Sequence, residues 1–493
     1  MEKMMNKGLM GAVIGDIAGS VYEHHNIKKK EFPFFREDCF FTDDTVLSIA
    51  VAKALMNHLK EHVDLPTELV ACMQTFGRTY PHRGYGGRFK EWVRDVHPEP
   101  YNSWGNGAPM RCSGAGMLAQ SAQEAYMLGE TTAKPTHNHP YAMTAAGTTA
   151  AMIWMANHGS SMEELRHFAE SKYTVPSCDE LRPDYSFDVS SQGTMPAALA
   201  AFLESSSFED AIRNAVSLGG DSDTIAAITG SLAEAYWGIP DTLWATAEGY
   251  LDAHLRGTLL DFYAFANGKD SPKRYRTETH MHTSETSDCA KNTAEEMMEM
   301  YALKGFDTVF VTDHFSRNYL KWSAGLTYEE KVDLFLDGYR AAKDAGDRLG
   351  ITVLFGAELR LKGSRNHYLL YGVTGKFLLE HPEIVDMTIQ EFYPLAKANG
   401  IFVVQAHPFR RSCWPTPDCV DGLEVRNTNP GLYTPEEEPY IAKLAKGYRL
   451  AATAGSDAHS IDAAGLTGIV TWEKVTFPEQ FVMLLKNRNY EII

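Results

Sequence analysis

Near residue 270 the hydrophobic pattern changes its period, and this break constrains the fold more than any other feature of the sequence. Before it, apolar residues recur at helical spacing over 45–59, 142–157, 195–203 and 224–237, in a background rich in Ala, Met, Leu and Glu. Pro and Gly gather between these segments, as at 81–87 and 105–109. After the break, short apolar runs alternate with helical stretches, at 308–311, 329–345, 352–355, 384–398 and 401–405. The first pattern predicts an all-α domain and the second predicts βα units around a parallel sheet or barrel. The intervening Asn267, Gly268, Asp270, Ser271 and Pro272, with basic neighbours, have linker composition. The boundaries that follow are a domain over 1–267, a linker over 268–276 and a domain over 277–493. A chain of 493 residues also exceeds what one core accommodates.

A formal net charge of -18 disfavours general binding to nucleic-acid backbones. Part of that acidity suits carboxylates that hold cations. Seven cysteines, an odd number with no CxxC pair, argue against a disulfide framework and for a reducing, cytoplasmic setting. The apolar stretch 9–21 is interrupted by Asp16 and glycines, so neither a signal peptide nor a membrane span is expected.

Two acidic clusters stand far apart in the helical half: Thr42-Asp43-Asp44-Thr45 and Gly219-Gly220-Asp221-Ser222-Asp223-Thr224. Each precedes a helical pattern, so either alone reads equally well as a helix N-cap. Together they offer carboxylate and hydroxyl oxygens without His or Cys, a set suited to Mg²⁺ or Mn²⁺. A third segment runs Gly15-Asp16-Ile17-Ala18-Gly19-Ser20-Val21-Tyr22-Glu23, whose small residues permit close helix packing. These segments, with Trp104-Gly105-Asn106-Gly107-Ala108-Pro109-Met110-Arg111, resemble the ordered motifs of the ADP-ribosylglycohydrolase family over nearly all of 8–265. The resemblance implies an all-α fold with a binuclear Mg²⁺ site. It implies Thr42, Asp43, Asp44, Asp221, Asp223 and Thr224 as ligands and Glu23 as the catalytic or gating carboxylate. It also implies substrate contacts from Gly86, Gly87, Ser103, Gly105, Asn106, Gly107, Met110, Arg111 and His137. His137 and His139 read equally well as helix-start residues.

The second half carries a mixed donor set at the ends of its apolar runs: His280-Met281-His282-Thr283, Thr312-Asp313-His314, Glu358, His407, and Asp457 with His459. A lone His is usually a satisfied core or surface residue. Donors at the carboxyl ends of successive strands are where barrel folds assemble their sites. The series resembles the PHP (polymerase and histidinol phosphatase) superfamily over 277–460 and beyond. That resemblance implies an α/β domain folded as a distorted (β/α)7 barrel, holding two or three Mn²⁺, Zn²⁺ or Fe ions. The ligands it implies are His280, His282, Asp288, Asp313, His314, Glu358, His407, Asp457 and His459, with His367 a further candidate. Arg410 is the expected phosphate contact, with Arg360, Lys362 and Arg411 nearby in sequence. Glu424 and Asn427 echo a family segment without an assigned role.

The expected protein is a bifunctional metal-dependent hydrolase. Its first domain releases ADP-ribosyl groups, through an N- or O-glycosidic bond, from a macromolecule or a small molecule. Its second hydrolyses a phosphoester, on an ADP-ribose or nucleotide derivative or another phosphorylated small molecule. The alternatives are an ADP-ribose-binding module that recruits a PHP phosphatase, and a histidinol-phosphate phosphatase with an incidental fusion. No membrane partner is expected.

Overall fold

The computed structural model describes residues 6–322, 325–429 and 436–493. The chain divides into two compact units, Met1–Pro272 and Lys273–Ile493. The buried apolar clusters are likewise separate: one draws only on the first unit and three only on the second. No helix among the described residues is long and apolar enough to cross a membrane.

Among its described residues the first unit is built of α-helices and loops, with one isolated bridge between Gly105 and Ser190. Its centre is a pair of helices, Leu9–Gly19 and Ser222–Trp237. Every residue of the first is buried, as are nearly all of the second, so neither needs an amphipathic stripe. They pack with backbones in near contact. A Cβ on Gly15 would lie 2.0 Å from the Ala226 carbonyl oxygen, and one on Gly19 would lie 2.5 Å from the Asp223 Cα. Small residues on this face therefore set the separation, and the separation brings Asp16 beside Asp223. Helix Asp43–Glu61 starts at the same place, capped by Thr42, whose hydroxyl accepts from the Asp44 N–H.

Among its described residues the second unit holds ten strands: β1 Tyr275–Met281, β2 Thr308–Val311, β3 His314–Ser316, β4 Thr352–Arg360, β5 His367–Tyr371, β6 Phe402–Ala406, β7 Gly422–Asn427, β8 Ala451–Gly455, β9 Ile469–Thr471 and β10 Glu491–Ile492. The order is β10-β9-β1-β2-β4-β5-β6-β7-β8, with β3 on β4. The far end curls back onto the start. Thr279 Oγ1 donates to the Ala454 carbonyl at 2.7 Å, His282 N donates to that of Ala458 at 3.0 Å, and Met281 bridges Ala458. Seven strands, β1-β2-β4-β5-β6-β7-β8, thus form a barrel-like ring. Glu278 fastens the seam: its buried carboxylate accepts from the N–H groups of Thr279, His280 and Ser456 and from the Tyr301 hydroxyl.

The ring departs from strict βα alternation at β5, which runs antiparallel to both neighbours. Only residues 361–366 separate β4 from β5, too few for a parallel crossover, so the chain makes a hairpin. Reversal places the first residue of β5, His367, opposite Arg360 at the end of β4 and Ala406 at the end of β6.

Candidate functional site

The first unit has a cavity of about 400 Å³ whose floor is the acidic cluster. Its lining includes Glu23, Thr42, Asp43, Asp44, Asp221, Asp223 and Thr224 on one side. Gly86, Gly87, Ser103, Gly105, Asn106, Gly107, Met110, Arg111 and His137 line the rest. Two sets of oxygens each fall within 4.8 Å of one another: Asp16, Asp44 and Asp223, and Glu23, Asp221 and Asp223. Thr224 Oγ1 donates to Asp44 Oδ2 at 3.1 Å, and Asn106 Nδ2 donates to Asp221 Oδ2 at 2.6 Å. Helices Asp43–Glu61 and Ser222–Trp237 both begin at this cluster and turn their positive ends towards it.

That dipole does not neutralise so many carboxylates. Burial first, then Asp16, pushes Asp43 up to about 8. Burial and their acidic neighbours raise Asp44 and Asp223 well above the carboxylate range. Glu23 is raised by burial and then by Asp221. Asp44 Oδ1 is buried without a hydrogen-bond partner. A crowd of buried acids with an orphaned oxygen fits a bound divalent cation, whose charge would let them ionise together.

In the sequence Asp16 belongs to a motif without an assigned function. It accepts four hydrogen bonds: from Thr42 N at 2.8 Å, Thr42 Oγ1 at 2.7 Å, Thr45 N at 3.1 Å and Thr45 Oγ1 at 2.5 Å. By taking the Thr42 proton it leaves that hydroxyl one lone pair for the cluster, beside the one that accepts from the Asp44 N–H. The available signal was a charged residue in the middle of an otherwise apolar helix. His137 lines the cavity, with Nδ1 against Thr136 Oγ1 at 2.7 Å, and burial followed by Arg111 keeps it neutral. A Cβ on Gly107 would meet its Nε2 at 3.0 Å, so a side chain there would press on the ring. His139 instead caps helix Pro140–Asn157. Tyr101, Phe187 and Val189 also line the cavity, and no motif of the sequence marks them.

In the second unit Glu358 is the hub. Its Oε1 lies 2.7 Å from His367 Nδ1 and 3.1 Å from His407 Nε2. Its Oε2 lies 2.6 Å from His314 Nδ1, 3.4 Å from His282 Nε2 and 3.6 Å from His280 Nε2. Asp457 Oδ1 lies 3.2 Å from His282 Nε2 and 3.4 Å from His280 Nε2. Two imidazole nitrogens, His280 Nε2 and His282 Nε2, face each other at 3.2 Å. That is close to the roughly 3.3 Å edge between ligands of a tetrahedral ion held at about 2 Å. His282 Nδ1 and His407 Nδ1 are buried without hydrogen-bond partners, so this donor set also fits metal ions.

The supporting groups sit just behind. Glu424 Oε1 faces His280 Nδ1 at 2.9 Å, and its Oε2 accepts from His407 N and Asn427 Nδ2. A carboxylate on Nδ1 fixes the ring with Nε2 towards the centre. Burial opposes ionisation of Glu358, yet His367, His314 and His280 hold it well below its usual range. Asp457 is likewise held down by His280 and His282 against its burial.

Three expected contributors sit elsewhere. Asp313 spends its oxygens on Thr283 N, Thr283 Oγ1 and Ser287 Oγ and lies 3.9 Å from His282 Nδ1, so it braces the loop behind that ring. Asp288 is exposed beside a shallow cavity of about 230 Å³. That cavity is also lined by Cys289, His314, Ser316, Tyr319, Arg360 and His367, whereas Arg410 is not part of it. Cys289 was not anticipated. Burial raises its thiol, but hydrogen bonds with His314 and His459 outweigh that and bring it down to about 7.

The ADP-ribosylglycohydrolase family profile matches residues 5–263, more than half the chain, and the PHP domain profile matches 278–449. The ADP-ribosylhydrolase ARH3 of Mus musculus is 26% identical over 49% of this chain and 86% of its own. The ADP-ribosylarginine hydrolase Tri1 of Pseudomonas putida is 26% identical over 47% of this chain and 70% of its own. A solved two-domain protein from Bacteroides vulgatus, containing a predicted PHP-like metal-dependent phosphoesterase, aligns at 17% identity. It covers 45% of this chain and 65% of its own, with a TM-score of 0.35. The chain therefore belongs to the ADP-ribosylglycohydrolase family through its first unit and carries a PHP domain in its second, both of them families of metal-dependent hydrolases.

Proposed function

We propose that the first unit hydrolyses ADP-ribosyl glycosidic bonds with two Mg²⁺ ions, and that the second hydrolyses a phosphoester with two or three Mn²⁺, Zn²⁺ or Fe ions. The observation that carries the first reading is the acidic floor beneath a cavity large enough for a nucleotide-sized ligand. Thr42, Asp43, Asp44, Asp221, Asp223 and Thr224 are the proposed ligands. Cations held by these residues would supply Lewis-acid chemistry to the ribose oxygens and to a bound water. Glu23 stands at the rim of the cluster, within reach of Asp221 and Asp223, where its carboxyl can orient the attacking water or serve the departing nitrogen or oxygen as oxocarbenium character develops at the anomeric carbon. The glycine loops at 84–88 and 103–107 offer backbone N–H groups to a pyrophosphate. An arginine N-glycosidic bond is the linkage named for the Pseudomonas putida relative, and it is the first to test.

In the second unit, His280, His282, Glu358, His407, Asp457 and His459, joined by His314 and His367, are the proposed ligands. Arg360 is the proposed phosphate contact. It pairs across the hairpin with His367 and sits two residues beyond Glu358, on the same face of β4. Full-length protein incubated with ADP-ribosyl-arginine and ADP-ribosyl-serine peptides in Mg²⁺ should release ADP-ribose. Nucleoside and sugar phosphates in Mn²⁺ or Zn²⁺ should release phosphate. Failure of either class under all of these metals removes the corresponding half of the proposal.

A further inference from the structure

Glu23 stands on a stretch of chain that regular structure does not hold. Between helices Leu9–Gly19 and Asp43–Glu61 no residue belongs to a helix or strand. The Glu23 carboxyl pairs with His24 Nε2 at 3.7 Å, and that His24 side chain is 75% exposed. A pair so open to water fixes little. The carboxyl is therefore placed by its backbone, and the backbone by the groups that bind it.

Asn26 is the main one. Its Nδ2 donates to the carbonyls of Tyr22 at 2.8 Å and Glu23 at 2.9 Å and, across 194 residues of chain, to that of Gly220 at 3.0 Å. Its Oδ1 accepts from Gly220 N at 2.8 Å. One amide thus takes both backbone groups of the residue before Asp221, as a neighbouring strand would, while closing the turn that carries Glu23. Lys28 adds a second tie: its Nζ donates to the Leu218 carbonyl at 2.5 Å and to the Tyr185 carbonyl at 2.6 Å. The close approach needs the two glycines of the turn, which hold φ at 72° and 71°. A Cβ on Gly219 would lie 3.1 Å from Asn26 Oδ1, and one on Gly220 would lie 2.6 Å from the Tyr185 ring. The fastened turn leads into Asp221, and Glu23, Asp221 and Asp223 bring oxygens within 4.8 Å of one another.

We infer that Asn26, with Lys28 behind it, is a positioning residue for the reaction at Glu23: it latches the segment 20–28 to the turn that presents Asp221, and so sets the distance between Glu23 and the cation-binding acids. This rests on the reading of the first unit as a site for ADP-ribosyl glycosidic bonds. Acid–base work needs Glu23 within hydrogen-bond reach of the reacting atoms, and a misplacement of about 1 Å costs roughly a hundredfold in rate. Contacts that hold substrate elsewhere in the cavity do not pass through Asn26, so the damage falls on turnover and spares affinity.

The test compares full-length variants on an ADP-ribosyl-arginine peptide in Mg²⁺. Asn26→Ala should lower kcat roughly tenfold to a hundredfold and change KM less than about threefold. Glu23→Gln should then cost roughly tenfold less in the Asn26→Ala background than alone, because the two changes remove one function. Hydrogen exchange reads the latch without turnover. Mg²⁺ loading should slow exchange over 20–28 and 219–223 together in the unchanged protein, and over 219–223 alone in Asn26→Ala. Should Asn26→Ala fail to fold, Lys28→Met, which frees the same segment from the Leu218 and Tyr185 carbonyls, takes its place in both measurements. Additive losses in kcat, or equal exchange over 20–28 with and without the Asn26 amide, overturn the inference. An unchanged protein without turnover removes the glycosidic reading instead, and the exchange comparison then decides the latch by itself.

Discussion

Asp221 shows how one residue serves two demands in the first unit. It is buried, it belongs to the acid cluster, and Asn106 fixes its free oxygen. Asp221→Asn keeps the shape and removes the charge. It should lower Mg²⁺ affinity, read by calorimetry, and ADP-ribose release, each by roughly a hundredfold. The protons of the cluster give a second prediction. In the metal-free fold Asp43 holds its proton up to about 8, against 3.8 for a free carboxyl. Between those values the folded state binds more protons than the unfolded one, so stability conferred by this group falls as pH rises. A cation binds the deprotonated form. Mg²⁺ affinity should therefore climb as pH rises towards about 8, with proton release visible as a buffer-dependent heat. A flat profile with no proton release would show that the acids are ionised before the metal arrives. In the second unit Arg360→Ala should raise KM for the phosphoester roughly tenfold or more through loss of a charged hydrogen bond, with Arg410→Ala near neutral.

At the scale of elements, the sites exist because two packing arrangements are exact to within a side chain. In the first unit, the glycines of helix Leu9–Gly19 let it lie against Ser222–Trp237 so closely that Asp16 joins acids more than two hundred residues away. Gly15→Val would drive a side chain into the Ala226 carbonyl. It should cost about 3 kcal/mol of stability and weaken Mg²⁺ binding although it removes no ligand, as read by denaturant unfolding and calorimetry. In the second unit, the short β4–β5 hairpin turns β5 around and delivers His367 to Glu358. The β8–β1 seam, tied by Glu278, delivers His280 and His282 to Asp457. Each donor lies on a strand or within a few residues of a strand end.

For the whole molecule, the separate cores predict separate unfolding. Calorimetry of the full chain should resolve two transitions, one raised by Mg²⁺ alone and the other by Zn²⁺ or Mn²⁺. Chelation should lower both. Asp221→Asn should shift only the first and leave phosphate release intact. A single transition that responds equally to every cation would contradict the division of the ligands between the units.

By itself the sequence determined the two halves and the chemistry of their donors. Hydrophobic period is a local property, so the change near 270 could be read directly, and so could the acid pairs and the successive histidines at strand ends. The tertiary structure decided which groups meet. Asp16 reads as an interruption in an apolar helix until that helix is packed on Ser222–Trp237. Asp313 and Asp288 read as ligands until hydrogen bonding occupies the first and the turn exposes the second. Cys289 carries no signal, and Arg360 is only one of four basic residues near the motifs, until a turn and a reversed strand bring them to the cavity. Donor type is written one residue at a time, whereas convergence depends on helix separation, strand direction and loop length, which act only once the chain is packed.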